Sequence, residues 1–239
     1  MMVSGVIHPK AKVFGDVQIG DGSFVSAGCY LYGPIKIGKN TTIHSGTIIG
    51  TPPEHKMKES KYGVVIGDDN VIGVNCTITA STDERPTTIG NGNYLMSGVH
   101  ISHDCLIGDD NVIAHKVVLA GHCVVGDRAN LGVGALLHQH TTIGSGSMVG
   151  MGSVVNKDIY PYLKVWGNPV CYGGFNFHQL KGLRFDGGDI EDEEDFRGSI
   201  LPVDLIRDDM IRFHRFSGRR GNKRIVSYRW AKIYDGEEE

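Results

Sequence analysis

The chain is poor in aromatic residues, which fill 8% of its 239 positions, and in proline, of which there are eight. A core built on large rings is therefore excluded, and small aliphatic residues must fill it. Long apolar runs are missing too. No stretch approaches the roughly 20 residues that a spanning helix needs, so no membrane span is expected. Met1 to Lys10 lack a basic start followed by an apolar core, so no secretory signal is expected. Five cysteines, an odd number with no CxxC pair, argue against a disulfide framework and a zinc knuckle. A reduced, cytoplasmic setting fits that usage best. A net charge of −3 offers no dense positive surface, so no nucleic-acid partner is expected. Glycine runs the other way, with 34 residues, roughly twice average usage. It does not recur at every third position, which excludes a collagen-like chain.

What the chain has is an aliphatic lattice. Stepping by six from Ile7 meets Val13, Ile19, Val25, Leu31, Ile37, Ile43 and Ile49. The series resumes at Ile66, Ile72 and Ile78, and again from Ile89 every six residues to Val155. All 23 lattice positions are Ile, Leu or Val, although those types occupy only 57 of 239 positions. A period of six matches neither an amphipathic helix nor an alternating strand. It matches short strands joined by bends. Ile-Gly or Val-Gly pairs begin at Ile19, Ile37, Ile66, Ile89, Ile107, Val125 and Ile143, 18 residues apart except for two spacings of 29 and 23. Three six-residue faces therefore make one coil. The expected fold is all-β, a triangular parallel solenoid with coils about 4.8 Å apart.

The expected solenoid spans residues 1–175, with loop insertions at about 50–65 and 79–88. A small mixed extension covers 176–239, with an acidic run from Asp186 to Asp195, a short helix from Val203 to Arg215 and a strand from Arg224 to Tyr234. Call the faces A (from Ile19), B (from Val25) and C (from Leu31). Both insertions leave face C and re-enter face A, so both must project from one edge of the prism. Long loops in a compact repeat are commonly functional.

That edge carries chemistry in later coils. One residue after the face-C aliphatic lie Ser102, Ala120 and His138. Two after it lie His103, Gly121 and Gln139, and three after it Asp104, His122 and His140. Equal offsets stack along the axis. A histidine beside an aspartate, with a glycine N–H one coil up, has the parts for general-base acyl transfer. The base takes a proton from the nucleophile, and an N–H without a side chain can face an oxyanion. Three histidines could instead collect a metal, but no bound metal is expected. His44, His115 and His178 lie off the cluster, and Cys105 and Cys123 are expected to pack as small apolar residues.

At this point the sequence resembles the UDP-N-acetylglucosamine O-acyltransferase family. The resemblance rests on IGDDNVI (Ile66–Ile72), GVHISHDCLIGDDNVI (Gly98–Ile113), VVLAGHCVVGD (Val117–Asp127), LLHQ (Leu136–Gln139) and MVGMGSVVNKDIYPY (Met148–Tyr162), and covers most of residues 40–180. It implies a left-handed parallel β-helix of hexapeptide repeats that assembles as a homotrimer, with active sites between subunits. It implies His103 as general base, Asp104 as its partner and Gly121 as oxyanion donor. His122, His100, His138 and Gln139 fall on family positions that meet substrate. No permanent cofactor is implied; an acyl-CoA or acyl carrier protein thioester is the cosubstrate.

The sequence also departs from that family. Thr79 in CTITAS and Pro169 in WGNP stand where the family has histidines, and the family's C-terminal helical domain is not visible. These departures fall on the nucleotide-sugar and carrier side rather than the catalytic side. The expectation drawn from them is acyl transfer, with a 3-hydroxyacyl group one candidate, to the amine of a nucleotide-linked amino sugar for surface polysaccharide. Acylation of UDP-N-acetylglucosamine itself, at its 3-hydroxyl for lipid A, is the alternative. A zinc enzyme resembling γ-class carbonic anhydrase, and a non-catalytic scaffold, are the readings from other classes.

Overall fold

The computed structural model describes residues 5–56, 60, 62–82, 85–181, 203–216 and 224–225. Short strands of two to five residues form three sheets, parallel except for one closing pair, and the chain winds through them as a left-handed β-helix. Register follows the period of 18. Ile101 pairs with Leu119 and Leu119 with Leu137 on face C, as Ile107 pairs with Val125 on face A. The insertions leave this register intact, because Ile37 still pairs with Ile66, and Ile66 with Ile89. The extra residues are expelled at the C–A edge instead of distorting the lattice.

The lattice aliphatics are the core. Every one from Ile19 to Val155 is buried, whereas Ile7 and Val13 at the open end are only partly so. Cys29, Cys76, Cys105 and Cys123 lie fully buried two residues before lattice positions. Their small size suits the narrowing at a corner, and the thiols of Cys105 and Cys123 donate to the carbonyls of Ala120 and His138 at 3.2 Å. Both therefore pack as expected.

Corners obey a backbone rule that the lattice alone does not state. Three residues after a lattice aliphatic the chain takes positive φ, at Gly22, Gly28, Asn40, Gly46, Asp69, Asn75 and onward. Glycine, asparagine and aspartate tolerate that region best. On the C–A edge the same position holds Asp104 (φ 60°), His122 (φ 61°) and His140 (φ 64°).

The solenoid closes with Leu163–Trp166 pairing antiparallel to Cys171–Phe175. The expected helix runs from Val203 to Phe216, one residue beyond its expected end. It lies beside face A. Met210 and Phe213 are buried, the Phe213 ring sits 4.5 Å from that of Tyr160, and Arg212 pairs with Asp127. Of the expected C-terminal strand, Arg224–Ile225 is described and pairs with Asp158–Ile159 on face A. Its remainder and the acidic run lie outside the described residues. Among the described residues, no helix is long and apolar enough to cross a membrane.

Candidate active site

The C–A edge gathers four of the seven expected site residues. Asp104 is its anchor, a carboxylate residue only 1% exposed. Its Oδ1 accepts the Thr82 N–H at 2.9 Å, and its Oδ2 accepts the Thr82 hydroxyl at 2.6 Å. The backbone N–H of Asp104 donates to the Thr87 hydroxyl at 3.0 Å. Thr82 belongs to the second insertion and Thr87 to the strand that follows it, so that loop clamps the carboxylate.

His103 is also buried, with Nδ1 2.7 Å from Asp104 Oδ2. A carboxylate selects the tautomer protonated on Nδ1, which leaves the lone pair on Nε2. One coil up, His122 places Nε2 3.5 Å from the same Oδ2. Its ring meets His103 edge-on at 5.2 Å and stacks on His140 at 4.5 Å with planes 15° apart. From the first insertion, His55 meets His103 edge-on at 5.8 Å.

Gly121 lies directly against the His103 ring. A Cβ there would stand 2.5 Å from Cε1, 2.7 Å from Nε2 and 3.0 Å from Nδ1. The space beside Gly121 is taken by the imidazole itself, so a side chain there would meet His103 before any substrate. The Gly121 carbonyl accepts the His140 N–H at 3.0 Å, and among the described residues its own N–H donates to nothing. That N–H remains free for an oxyanion.

The other three residues stand apart. His100 points outward on face C, with Nδ1 2.6 Å from the Thr77 hydroxyl. Burial pushes its pKa down, and the charge of Glu54 partly opposes that. His138 and Gln139 are exposed one coil above Ala120 and Gly121, and the ring Nδ1 of His138 lies 3.1 Å from the Gln139 carbonyl oxygen. Neither hydrogen-bonds to His103, Asp104 or His122 among the described residues.

Sequence reasoning missed Thr82, Thr87 and His55 as members of the site. Nothing in STDERPT marks Thr82 except that its loop leaves the same edge. His140 stood in the right column without a role. Thr79, where the resemblance would put histidine, is buried, and its hydroxyl and that of Ser81 find no partner among the described residues.

Ligand atoms of His103, Asp104 and His122 lie within 4.8 Å of one another. This set has one carboxylate and two imidazoles, whereas the carbonic anhydrase reading needs three convergent histidines.

Comparison with known proteins follows the same lines. Residues 6–51 and 86–121 match the bacterial transferase hexapeptide model (six repeats), and residues 123–157 match the hexapeptide repeat of succinyl-transferase. The gap between the first two, residues 52–85, takes in most of both insertions. The chain is 40% identical over 202 residues to an acyl-[acyl-carrier-protein]–UDP-N-acetylglucosamine O-acyltransferase of Saccharophagus degradans, covering 78% of each. It is 37% identical over 156 residues to the protein of that name in Helicobacter pylori strain 26695, covering 64% of this chain and 58% of that one. Among solved structures it is similar to the UDP-N-acetylglucosamine acyltransferase of Francisella novicida, with 27% identity, TM-score 0.74 and 95% of each chain covered.

Proposed function

We propose, from the premise that this chain belongs to the acyl-[acyl-carrier-protein]–UDP-N-acetylglucosamine O-acyltransferase family, that it moves an acyl group from a carrier-protein thioester to a hydroxyl of UDP-N-acetylglucosamine. That it is an acyltransferase follows from the family. The observation that carries the rest is the buried Asp104–His103 pair facing a free N–H one coil up.

In this reading Nε2 of His103 takes the proton of the acceptor hydroxyl as its oxygen attacks the thioester carbonyl. The C–S bond then breaks, and His103 returns the proton to the departing thiolate. Asp104 holds the imidazole in the required tautomer and balances its transient charge. The Gly121 N–H hydrogen-bonds the tetrahedral oxyanion, a contribution commonly worth about 100- to 1000-fold. A sugar hydroxyl stays protonated at neutral pH and needs such a base, whereas an amine can shed its proton to water. The fixed dyad thus supports a hydroxyl acceptor over the amine expected from the sequence departures. The relatives' names support the same acceptor, and a carrier protein over coenzyme A as donor. Thr79 and Pro169 leave the dyad untouched.

His122 faces the dyad and is assigned to substrate contact, with His100, His138 and Gln139 around the rim. A homotrimer supplies the opposite wall. An exposed apolar patch of Val133, Leu136, Met148, Met151 and Trp166 along the B–C edge supports an interface there. A cytoplasmic site of action belongs to the same proposal, since the donor is a cytoplasmic thioester.

The test is incubation with UDP-N-acetylglucosamine or with nucleotide-linked amino sugars and a panel of acyl thioesters, with product mass followed before and after alkaline hydroxylamine. A hydroxylamine-labile adduct is expected. A stable amide adduct on an amino sugar would overturn the acceptor, and no product from any thioester would overturn the reading.

A further inference from the structure

We propose that His103, Asp104 and His122 form an inhibitory site for a divalent cation of the zinc class. Two imidazoles and a carboxylate are the donor set such ions choose. With bonds of about 2.0–2.1 Å, two ligands of a tetrahedral ion lie about 3.3 Å apart. His122 Nε2 and Asp104 Oδ2 stand 3.5 Å apart, and His103 Nδ1 and that oxygen 2.7 Å. An opening of about 0.6 Å at the second pair, with the two imidazoles drawn together from ligand atoms that lie within 4.8 Å, completes a three-ligand set.

The supporting contacts also suit a metal. Ligating carboxylates are held by hydrogen bonds from behind, and Thr82 supplies two to Asp104. The carboxylate cannot swing away, because its residue is buried and its backbone N–H is tied to Thr87. His122 is braced by its stack on His140 and by its own N–H donating to the His103 carbonyl at 2.9 Å. Water would supply the fourth ligand of the tetrahedron. Hard ions such as magnesium prefer an all-oxygen set and are excluded.

Binding at Nδ1 requires the other tautomer of His103, so its ring proton moves from Nδ1 to Nε2, the nitrogen that would otherwise act as the base. The imidazole is then pinned to the metal and cannot cycle as a base. Binding rests on geometry alone; inhibition also rests on the proposed role of His103.

The test uses the full chain, stripped with a chelator and titrated with cobalt(II), whose tetrahedral complexes absorb visibly. A saturating band at one equivalent is expected, bleached by zinc and unaffected by magnesium. The band should vanish in His122→Ala and in Asp104→Asn, the second of which keeps a residue suited to positive φ, and persist in His44→Ala. No saturable band, or a band surviving both variants, overturns the site. Zinc that bleaches the band yet leaves transfer untouched overturns the inhibition. Absence of transfer from every thioester before metal is added would count against the acyltransfer chemistry alone, since the cobalt spectrum is independent of it.

Discussion

Replacing Gly121 with alanine separates two reasons for a glycine at that corner. The new Cβ would stand 2.5 Å from His103 Cε1, whereas ordinary contact begins near 3.4 Å, so the ring must yield about 0.9 Å. It has little freedom to do so, because Nδ1 is held 2.7 Å from a carboxylate whose residue is only 1% exposed. Gly121 is outside the left-handed region, so alanine adds no backbone strain and the solenoid should fold normally. The N–H stays in place. A misplacement of about 1 Å costs about 100-fold in rate, equivalent to about 2.7 kcal/mol. His103→Ala alone should cost about 100- to 10,000-fold.

The double variant decides between the reasons. If Gly121 makes room for His103, then removing the ring removes the clash. Adding Gly121→Ala to His103→Ala should cost almost nothing further, with a coupling energy near the full ~2.7 kcal/mol. If a side chain at 121 instead blocks substrate or the oxyanion, the two losses should multiply. Single-turnover rates of the four proteins, with circular dichroism to confirm folding, give the answer. Multiplying losses, or a Gly121→Ala protein as active as the parent, would refute the steric argument.

Thr82→Ala removes the hydroxyl bond to Asp104 but keeps the N–H bond; a hydrogen bond to a charged group is worth about 1.5–3 kcal/mol, so kcat should drop roughly 10- to 100-fold, with recovery in Thr82→Ser. Burial holds the His100 pKa below its ordinary range, so between the two values the unfolded chain binds the extra proton, and stability is lost as pH falls below about 6.5. Urea titrations from pH 7 to 5 should show that loss, and His100→Gln should flatten it; an unchanged slope would remove His100 as its source. Light scattering of the parent should give three times 26.0 kDa, or 78.0 kDa, and Met151→Glu, at a side chain 77% exposed on the apolar patch, should shift the mass toward one chain. A parent of 26.0 kDa in active fractions would end the trimer proposal.

The lattice was legible because one physical demand recurs every six residues: an aliphatic must fill the prism. Ile37 and Ile66 show how strong that demand is, since they pair despite the 11 extra residues between their coils. The column of Asp104, His122 and His140 was legible for the same reason, because equal offsets must stack. Thr82 was not, since it lies in an insertion that no lattice constrains. Its place depends on how the loop folds back, and only the Asp104 carboxylate identifies its partner. The space at Gly121 was not legible for a related cause. Backbone periodicity places the Cα atoms of Gly121 and His103 on adjacent coils, but not the direction of the imidazole.

The corner geometry explains why chemistry gathers on this edge rather than on a face. A face position is spoken for, inward by an aliphatic and outward by cross-coil pairing. A corner position is held equally firmly, because His122 donates its N–H to the His103 carbonyl and His140 to that of Gly121, at 2.9 and 3.0 Å. Its side chain, however, answers to no packing rule. The cost is conformational: a side chain at positive φ is disfavoured by about 1–2 kcal/mol where glycine is not. Two histidines on successive coils accept that cost, and a stack of strands paired on both sides can absorb it. A loop would respond to the same strain by moving. A solenoid corner keeps its imidazoles where the ladder puts them, so the dyad can be assembled by exchanging corner residues while every lattice position stays aliphatic.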